Sequence, residues 1–251
     1  MTEIALITGG SRGLGKSMAL HLAQSGKDIV FTYHSRKDEA DSLVEKIQTL
    51  GRKAAALQLD VTQSGTFAQF AQSLKSVLQK DFGRSDFDFL INNAGMGLHK
   101  NFMDTTEDEF NLMMNTHLKA PFFLSQTLLP LMKDGGRIVN ISSGLARFSM
   151  SGSSAYGSMK GGLEVLSRYM AVELGPRRIT VNVLAPGAIE TDFGGGAVRD
   201  NKDLNGLIAN QTALGRVGLP DDIGGAVSLL LDDRSGWING QRIEASGGIH
   251  L

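Results

Sequence analysis

The chain has 251 residues, of which 41% are apolar and 20% charged, an ordinary globular composition. Its 25 basic and 26 acidic side chains leave a net charge of −1, which argues against a broad electrostatic grip on nucleic acid or on a membrane surface. There is no cysteine, so disulfides and thiolate chemistry are excluded; that suits a reducing compartment, and the cytoplasm is the expected one.

In chain order, the apolar run Ile4–Ile7 comes first, with no charged leader before it, and reads as a buried strand. Thr8-Gly9-Gly10-Ser11-Arg12-Gly13-Leu14-Gly15 follows, and helical spacing runs over Leu14–Gln24. Glycines let a backbone turn sharply and approach a pyrophosphate, and the helix behind them offers free N–H groups and a positive dipole end. An ordinary strand–helix loop is the bland reading of such a pattern. Its place after the first strand favours the phosphate-binding one, with Gly9, Ser11, Arg12, Gly13, Leu14 and Gly15 as contacts.

The second run, Ile29–Tyr33, ends in His34-Ser35-Arg36. A Rossmann site selective for NAD places a carboxylate there to hold the ribose 2′-hydroxyl; here the first acid is Asp38. Arg12 and Arg36 can pair a 2′-phosphate, with Ser35 donating and His34 alongside, so NADP(H) is the expected cofactor. The alternative is that Arg36 is an exposed charge at a helix start. Further runs at Ala54–Leu59, Phe87–Ile91, Arg137–Ile141, Thr180–Leu184 and Arg242–Ala245 read as strands. Helical spacing fills Lys37–Leu50, Thr66–Phe82, Thr106–Met132, Ser154–Leu174 and Asp221–Leu231. No run reaches the roughly 20 apolar residues a membrane helix needs. Such alternation predicts one α/β domain over 1–251, a Rossmann-type doubly wound sheet of about seven mostly parallel strands with helices on both faces. Ala188–Gly215 breaks the rhythm: it holds Gly194-Gly195-Gly196, keeps few apolar residues in register, and is expected to be an irregular lid over substrate.

Tyr156 and Lys160 lie four apart on a predicted helix and share a face. An isolated pair of this kind is usually a surface contact, but here a dinucleotide turn precedes it in the same chain. An ammonium beside a phenol favours the phenolate, so Lys160 is expected to lower the Tyr156 pKa from about 10 towards the range of efficient proton transfer. Ser143, just past the fifth strand, is placed to hold a substrate oxygen at the edge where open α/β sheets bind ligands. The five histidines, His21, His34, His99, His117 and His250, lack ligand spacing, so no metal site is expected. Phe148 and Met150 either line an apolar pocket or pack, and Trp237 is expected to pack.

Taken together, Thr8-Gly9 with Gly13 and Gly15, Asn92-Asn93-Ala94-Gly95, Ser143, Tyr156-Gly157-Ser158-Met159-Lys160 and Pro186-Gly187 resemble the short-chain dehydrogenase/reductase family over essentially the whole chain. The resemblance implies that Asp60 and Val61 lie near the adenine and that Asn93, Ala94, Gly95, Pro186, Gly187, Ile189 and Thr191 also contact the cofactor. It further implies that Lys160 holds the nicotinamide ribose together with Tyr156, that Asn115 anchors a water relaying protons to Lys160, and that the protein is a homotetramer. Two departures from the family pattern are Ser158-Met159 before the lysine and the lack of a glycine three residues after Asn115. Leu214-Gly215-Arg216 through Pro220 is similar to bacterial 3-oxoacyl-thioester reductases, although that stretch recurs in members with other substrates. The implied activity is hydride transfer between NADP(H) and a small ketone, 3-oxoacyl or sugar-like carbonyl. The rival expectation is a cofactor-binding sensor or scaffold without turnover.

Overall fold

The computed structural model describes residues 2–251. All seven apolar runs become strands of one sheet: β1 (Ile4–Ile7), β2 (Asp28–Tyr33), β3 (Ala54–Gln58), β4 (Phe87–Asn92), β5 (Met132–Ile141), β6 (Thr180–Pro186) and β7 (Arg242–Ala245). Their order is β3-β2-β1-β4-β5-β6-β7, and every pairing is parallel. The chain winds outward from β1 in both directions, so the switch point lies between β1 and β4, where such sheets bind ligands at their carboxyl edge.

Alternation along the strands, broken by the register shift between Phe87 and Phe89 on β4, supplies the two cores. Ala5, Ile7, Ile29, Phe31, Phe89, Ile91 and Val139 face one side, under α1 (Gly13–Gln24), α2 (Lys37–Thr49) and α9 (Pro220–Leu230). Leu6, Val30, Phe87, Leu90, Ile138 and Val181 face the other, under α3 (Phe67–Val77), α5 (Ala120–Leu128) and α6 (Ser154–Glu173). Burial on both faces is why these strands are continuous apolar runs in the sequence.

A short polar ladder crosses the second face near the carboxyl edge. Asn92 and Asn140, paired in register on β4 and β5, are joined by Nδ2 of Asn92 donating to Oδ1 of Asn140 at 2.8 Å. Asn92 also donates to Ser125 Oγ on α5 at 3.0 Å, and Asn140 to Ser167 Oγ on α6 at 2.8 Å. The Ser167 hydroxyl donates to the Leu163 carbonyl, which completes the ladder within α6.

Three expectations need correction. The helix expected over Thr106–Met132 is α4 (Glu107–Met114), a wide π turn over Asn115–Lys119, then α5, then a single 3₁₀ turn. Pro121 at the start of α5 has no N–H to return to the turn before it, and the ladder loosens there. The segment after β6 is not irregular: it contains α7 (Ala197–Asp200) and α8 (Lys202–Asn210). The Asn201 side chain caps α8 by accepting from the Leu204 N–H at 3.0 Å. Gly194, Gly195 and Gly196 run consecutively in the left-handed region, with φ of 62°, 75° and 79°, a stretch few residues other than glycine accept, and Gly215 at the segment's end has φ of 70°. Trp237 does not pack; it is 99% exposed. Phe148 packs against the Ile208, Val217 and Ile249 cluster, whereas Met150 is exposed.

Candidate active site

The turn after β1 is held rigidly from two sides. The Thr8 hydroxyl accepts from the N–H groups of Asn93 and Ala94, both at 2.9 Å. The Asn93 side chain donates to the Thr8 and Gly9 carbonyls at 2.9 and 3.0 Å, and the Gly9 N–H donates to Thr32 Oγ1 at 3.0 Å. Gly9 has φ of 65°, and a Cβ on Gly15 would sit 2.2 Å from the Gly9 carbonyl oxygen, so neither position admits a side chain. At the N-terminus of α1, Arg12 offers no side-chain cap, which leaves the first-turn N–H groups unspent. An uncapped helix end behind a side-chain-free turn is the cradle a pyrophosphate needs, and these residues fit a dinucleotide. Thr191 touches this turn, its Cβ and Cγ2 lying 3.7 Å from the place a Gly13 Cβ would take. Beside the same turn lies a cleft of about 310 Å³, whose walls include Gly13, Lys16, Thr191, Asp192 and Arg199.

Asp60 closes the end of β3 by accepting from the Thr62 N–H and hydroxyl at 2.9 and 2.7 Å. Val61 and Ala94 border a small gap at the Thr8 side of the turn. His34 Nε2 lies 3.7 Å from Asp60, and the His34 carbonyl accepts from Gln58 at 2.9 Å. Arg36 begins α2 and pairs with Glu39 one turn on. Arg12 lies 3.7 Å from Asp192. Asp192 is held ionised, below its ordinary range, first by Arg199 at 2.6 Å and then by the fields of Arg12 and Arg36. The two arginines expected at a 2′-phosphate therefore act on one carboxylate. Pro186 ends β6, the Gly187 N–H donates to Ala245 at 3.2 Å, and Ile189 bridges to Gly218.

Ser143, Tyr156 and Lys160 meet at the carboxyl edge of β5. Ser143 begins a 3₁₀ turn and its hydroxyl accepts from the Leu145 N–H at 3.2 Å. Lys160 is 5% exposed; its Nζ donates to the Ile141 carbonyl at 2.7 Å and lies 5.5 Å from the centroid of the Tyr156 ring. One turn further on α6, Glu164 accepts from Ser142 Oγ at 2.7 Å and from Arg242 Nε at 2.8 Å. The segment after β6 covers the tyrosine: the Phe193 ring lies 5.8 Å from it, and Phe193 also backs onto Gly97.

The electrostatics differ from expectation. Tyr156 is not depressed; burial pushes it up to about 12, only partly opposed by the Ser143 hydroxyl, which favours the phenolate without making a well-formed bond to it. Lys160 is pushed down to about 7 by the same burial, against the attraction of Glu164. A lysine held near neutrality supplies little charge to the phenol, so desolvation outweighs the expected attraction.

Asn115 opens the π turn half-buried, and its side chain makes no hydrogen bond among the described residues. The residue that reaches the centre is His117, 1% exposed, edge-on to Tyr156 with centroids 5.0 Å apart. Spacing held a signal for it: Met113, His117, Ala120 and Leu124 follow i, i+4, i+7, i+11, which puts an imidazole on an otherwise apolar stripe. Phe193 carried no such signal, because its approach depends on the left-handed glycines behind it.

Comparison with known proteins extends the likeness along the whole chain. A family model described as enoyl-(acyl carrier protein) reductase matches residues 9–250. The short-chain dehydrogenase/reductase FrzI of a Cladobotryum species is 36% identical over 256 residues, covering 99% of this chain and 96% of its own. Among solved structures, the promiscuous reductase LugOII, which catalyses keto-reduction at C1 in lugdunomycin biosynthesis, superposes with a TM-score of 0.93 at 36% identity, covering 98% of this chain and 96% of its own. The angucycline C-6 ketoreductase LanV, solved with bound NADP, gives a TM-score of 0.93 at 34% identity, covering 98% and 95%.

The buried lysine has a measurable consequence. Its folded value, about 7, lies below its ordinary 10.5, so between these values the unfolded chain binds the proton and the folded chain does not. Stability contributed by this group therefore rises with pH across that window and is least below it. Wild type should gain stability relative to Lys160→Met as pH rises from about 7 to 10.5, read by chemical denaturation. A difference independent of pH would remove the depression.

Proposed function

We propose that this chain, which belongs to the short-chain dehydrogenase/reductase family, reduces a carbonyl group and oxidises the matching alcohol with NADP(H). The observation that carries this reading is the convergence of Ser143, Tyr156 and a buried Lys160 at the sheet edge that also bears the phosphate-binding turn. A sensor or scaffold of the same fold has no need to bury a lysine against a tyrosine. The ketoreductions named for LugOII and LanV support a ketone as substrate. An apolar body on it suits the exposed Phe193 and Met96 near the tyrosine.

When bound, the cofactor supplies or accepts the hydride. Gly9, Ser11, Gly13, Leu14 and Gly15 would hold its pyrophosphate, and Arg12 and Arg36, with His34 and Ser35, would take its 2′-phosphate. Asp60 and Val61 would lie by the adenine, Tyr156 and Lys160 would hold the nicotinamide ribose, and Asn93, Ala94, Gly95, Pro186, Gly187, Ile189 and Thr191 would contact the rest of the cofactor. Ser143 donates to the substrate oxygen and orients it. Tyr156, kept as a phenol by its burial, gives that oxygen a proton in reduction and takes it back in oxidation. Residues 188–215 act as the substrate lid, with Phe193 excluding water above Tyr156. The cytoplasm is the proposed compartment; among the described residues, no helix is long and apolar enough to cross a membrane.

Tyr156→Phe removes one hydroxyl. It should leave cofactor binding intact, read by titration of nicotinamide fluorescence, and lower kcat by about 10²–10⁴-fold. Wild-type turnover in the folded, cofactor-saturated variant would end this reading. The double variant Arg12→Ala/Arg36→Ala should lose about tenfold or more of its preference for NADP over NAD in kcat/KM, because each guanidinium gives charge-assisted bonds. An unchanged preference would place the phosphate elsewhere. We also infer a homotetramer, supported by the exposed Phe122 and Phe123 on α5, Val165, Tyr169 and Val172 on α6, and the bare Trp237. Sedimentation at micromolar concentration should give a single species of four chains; a stable monomer would reject it.

A further inference from the structure

One largely buried charge beside the centre has no part in the reading above. Glu164 lies on α6 one turn beyond Lys160, and its side chain is 13% exposed. A carboxylate this sheltered from water needs partners of its own. It has two, and one oxygen serves both: Oε1 accepts from Ser142 Oγ at 2.7 Å and from Arg242 Nε at 2.8 Å.

Those bonds fall at the corner where β5 ends. Three consecutive residues there are each tied to α6. Asn140 donates to Ser167, the Ile141 carbonyl accepts from Lys160, and Ser142 donates to Glu164. Ser143 comes next in the chain. Ser142 is fixed in the sheet as well, because its N–H donates to the Leu184 carbonyl at 2.8 Å. Arg242, on β7, reaches past Glu164 and donates to the Ser143 carbonyl at 3.4 Å. Its other arm donates to Glu244 at 2.9 Å, and Glu244 is held in turn by Arg147 at 2.9 Å. Two carboxylates thus alternate with two guanidiniums, and the cluster shelters no net charge. Tyr156 rides about two turns earlier on the helix that carries Glu164. The bond from Ser142 to Glu164 therefore ties the residue before Ser143 to the element that bears Tyr156.

We propose that Glu164 is a positioning residue for Ser143: by clamping Ser142 to α6, with Arg242 as its counter-ion, it fixes where the Ser143 hydroxyl stands relative to Tyr156. It acts through Ser142 and Ser143, and the inference rests on Ser143 and Tyr156 being the reaction centre.

The test measures kcat, substrate KM and cofactor affinity in Glu164→Ala, Glu164→Gln, Ser143→Ala and the double variant Ser143→Ala/Glu164→Ala. In Glu164→Ala, kcat should fall about tenfold or more, since misplacing a group by about 1 Å can cost ~10²-fold. Cofactor affinity, read by nicotinamide fluorescence, should stay nearly unchanged. Glu164→Gln keeps an oxygen that accepts from Ser142 and should recover most of kcat. The double variant should be no slower than Ser143→Ala, because the hydroxyl that Glu164 positions is already gone. A role in stability alone would lower the unfolding midpoint and leave kcat of the folded enzyme as in wild type. Should Glu164→Ala fail to fold, Ser142→Ala breaks the same bond from the strand side and takes its place, alone and with Ser143→Ala. Wild-type kcat in Glu164→Ala, no recovery in Glu164→Gln, or a further fall in the double variant overturns the inference. If Ser143→Ala and Tyr156→Phe are slow in that case, only the role of Glu164 falls; if both turn over normally, the reading beneath it falls too.

Discussion

The hydrogen bond between the carboxamides of Asn92 and Asn140 sets where everything at the sheet edge can be. It joins β4 to β5 at side-chain level, and each amide makes one further bond. Those bonds go to Ser125 on α5 and Ser167 on α6. The turn that carries Asn115 and His117 leads into α5, and Tyr156 and Lys160 ride on α6, so both sides of the centre are keyed to one rung. In a dry interior each such group costs about 1–3 kcal/mol if left unpaired. A strand slipped by one residue would turn its asparagine to the opposite face, so the ladder rejects near-miss registers that apolar contacts alone would tolerate.

Water exclusion governs the chemistry above that rung. Tyr156 moves up, Lys160 moves down and His117 moves down, each from burial first, so all three are drawn towards neutrality. A phenol beside an amine and a phenolate beside an ammonium carry the same total charge. A proton passing from the Lys160 ammonium to a Tyr156 phenolate would therefore rearrange charge without importing any into the interior. Isolated charges are what burial penalises most, which makes the pair better suited to this place than either residue alone.

Much of this was legible in the sequence because it rests on local pattern. Strands buried on both faces are unbroken apolar runs, and the turn after β1 announces itself through glycines that tolerate no side chain. What escaped depends on contacts between distant segments. The break after Met114 comes from Pro121 denying a hydrogen bond to residues before it, while the residues of the turn itself look helical. Helix α8 was hidden because its apolar side is only Leu204 and Ile208, yet the Asn201 cap was there to be seen. The direction of the Tyr156 shift could not be read at all. It follows from Phe193 and His117 closing over the phenol, and neither is near residue 156 in the chain. Arg36 was read for its charge, and its pairing with Glu39 needed only the i, i+3 spacing to be noticed.

The bare indole of Trp237 bears on how the molecule can be observed. It is the chain's one tryptophan, and its surface is already in water when the chain is folded. Unfolding a solitary copy moves that ring from solvent to solvent, so its emission colour is nearly silent about loss of the sheet. The same ring would respond strongly to anything that settles over it. Tryptophan light from this protein thus reports on company and not on folding, and the melting of the domain has to be followed through its backbone.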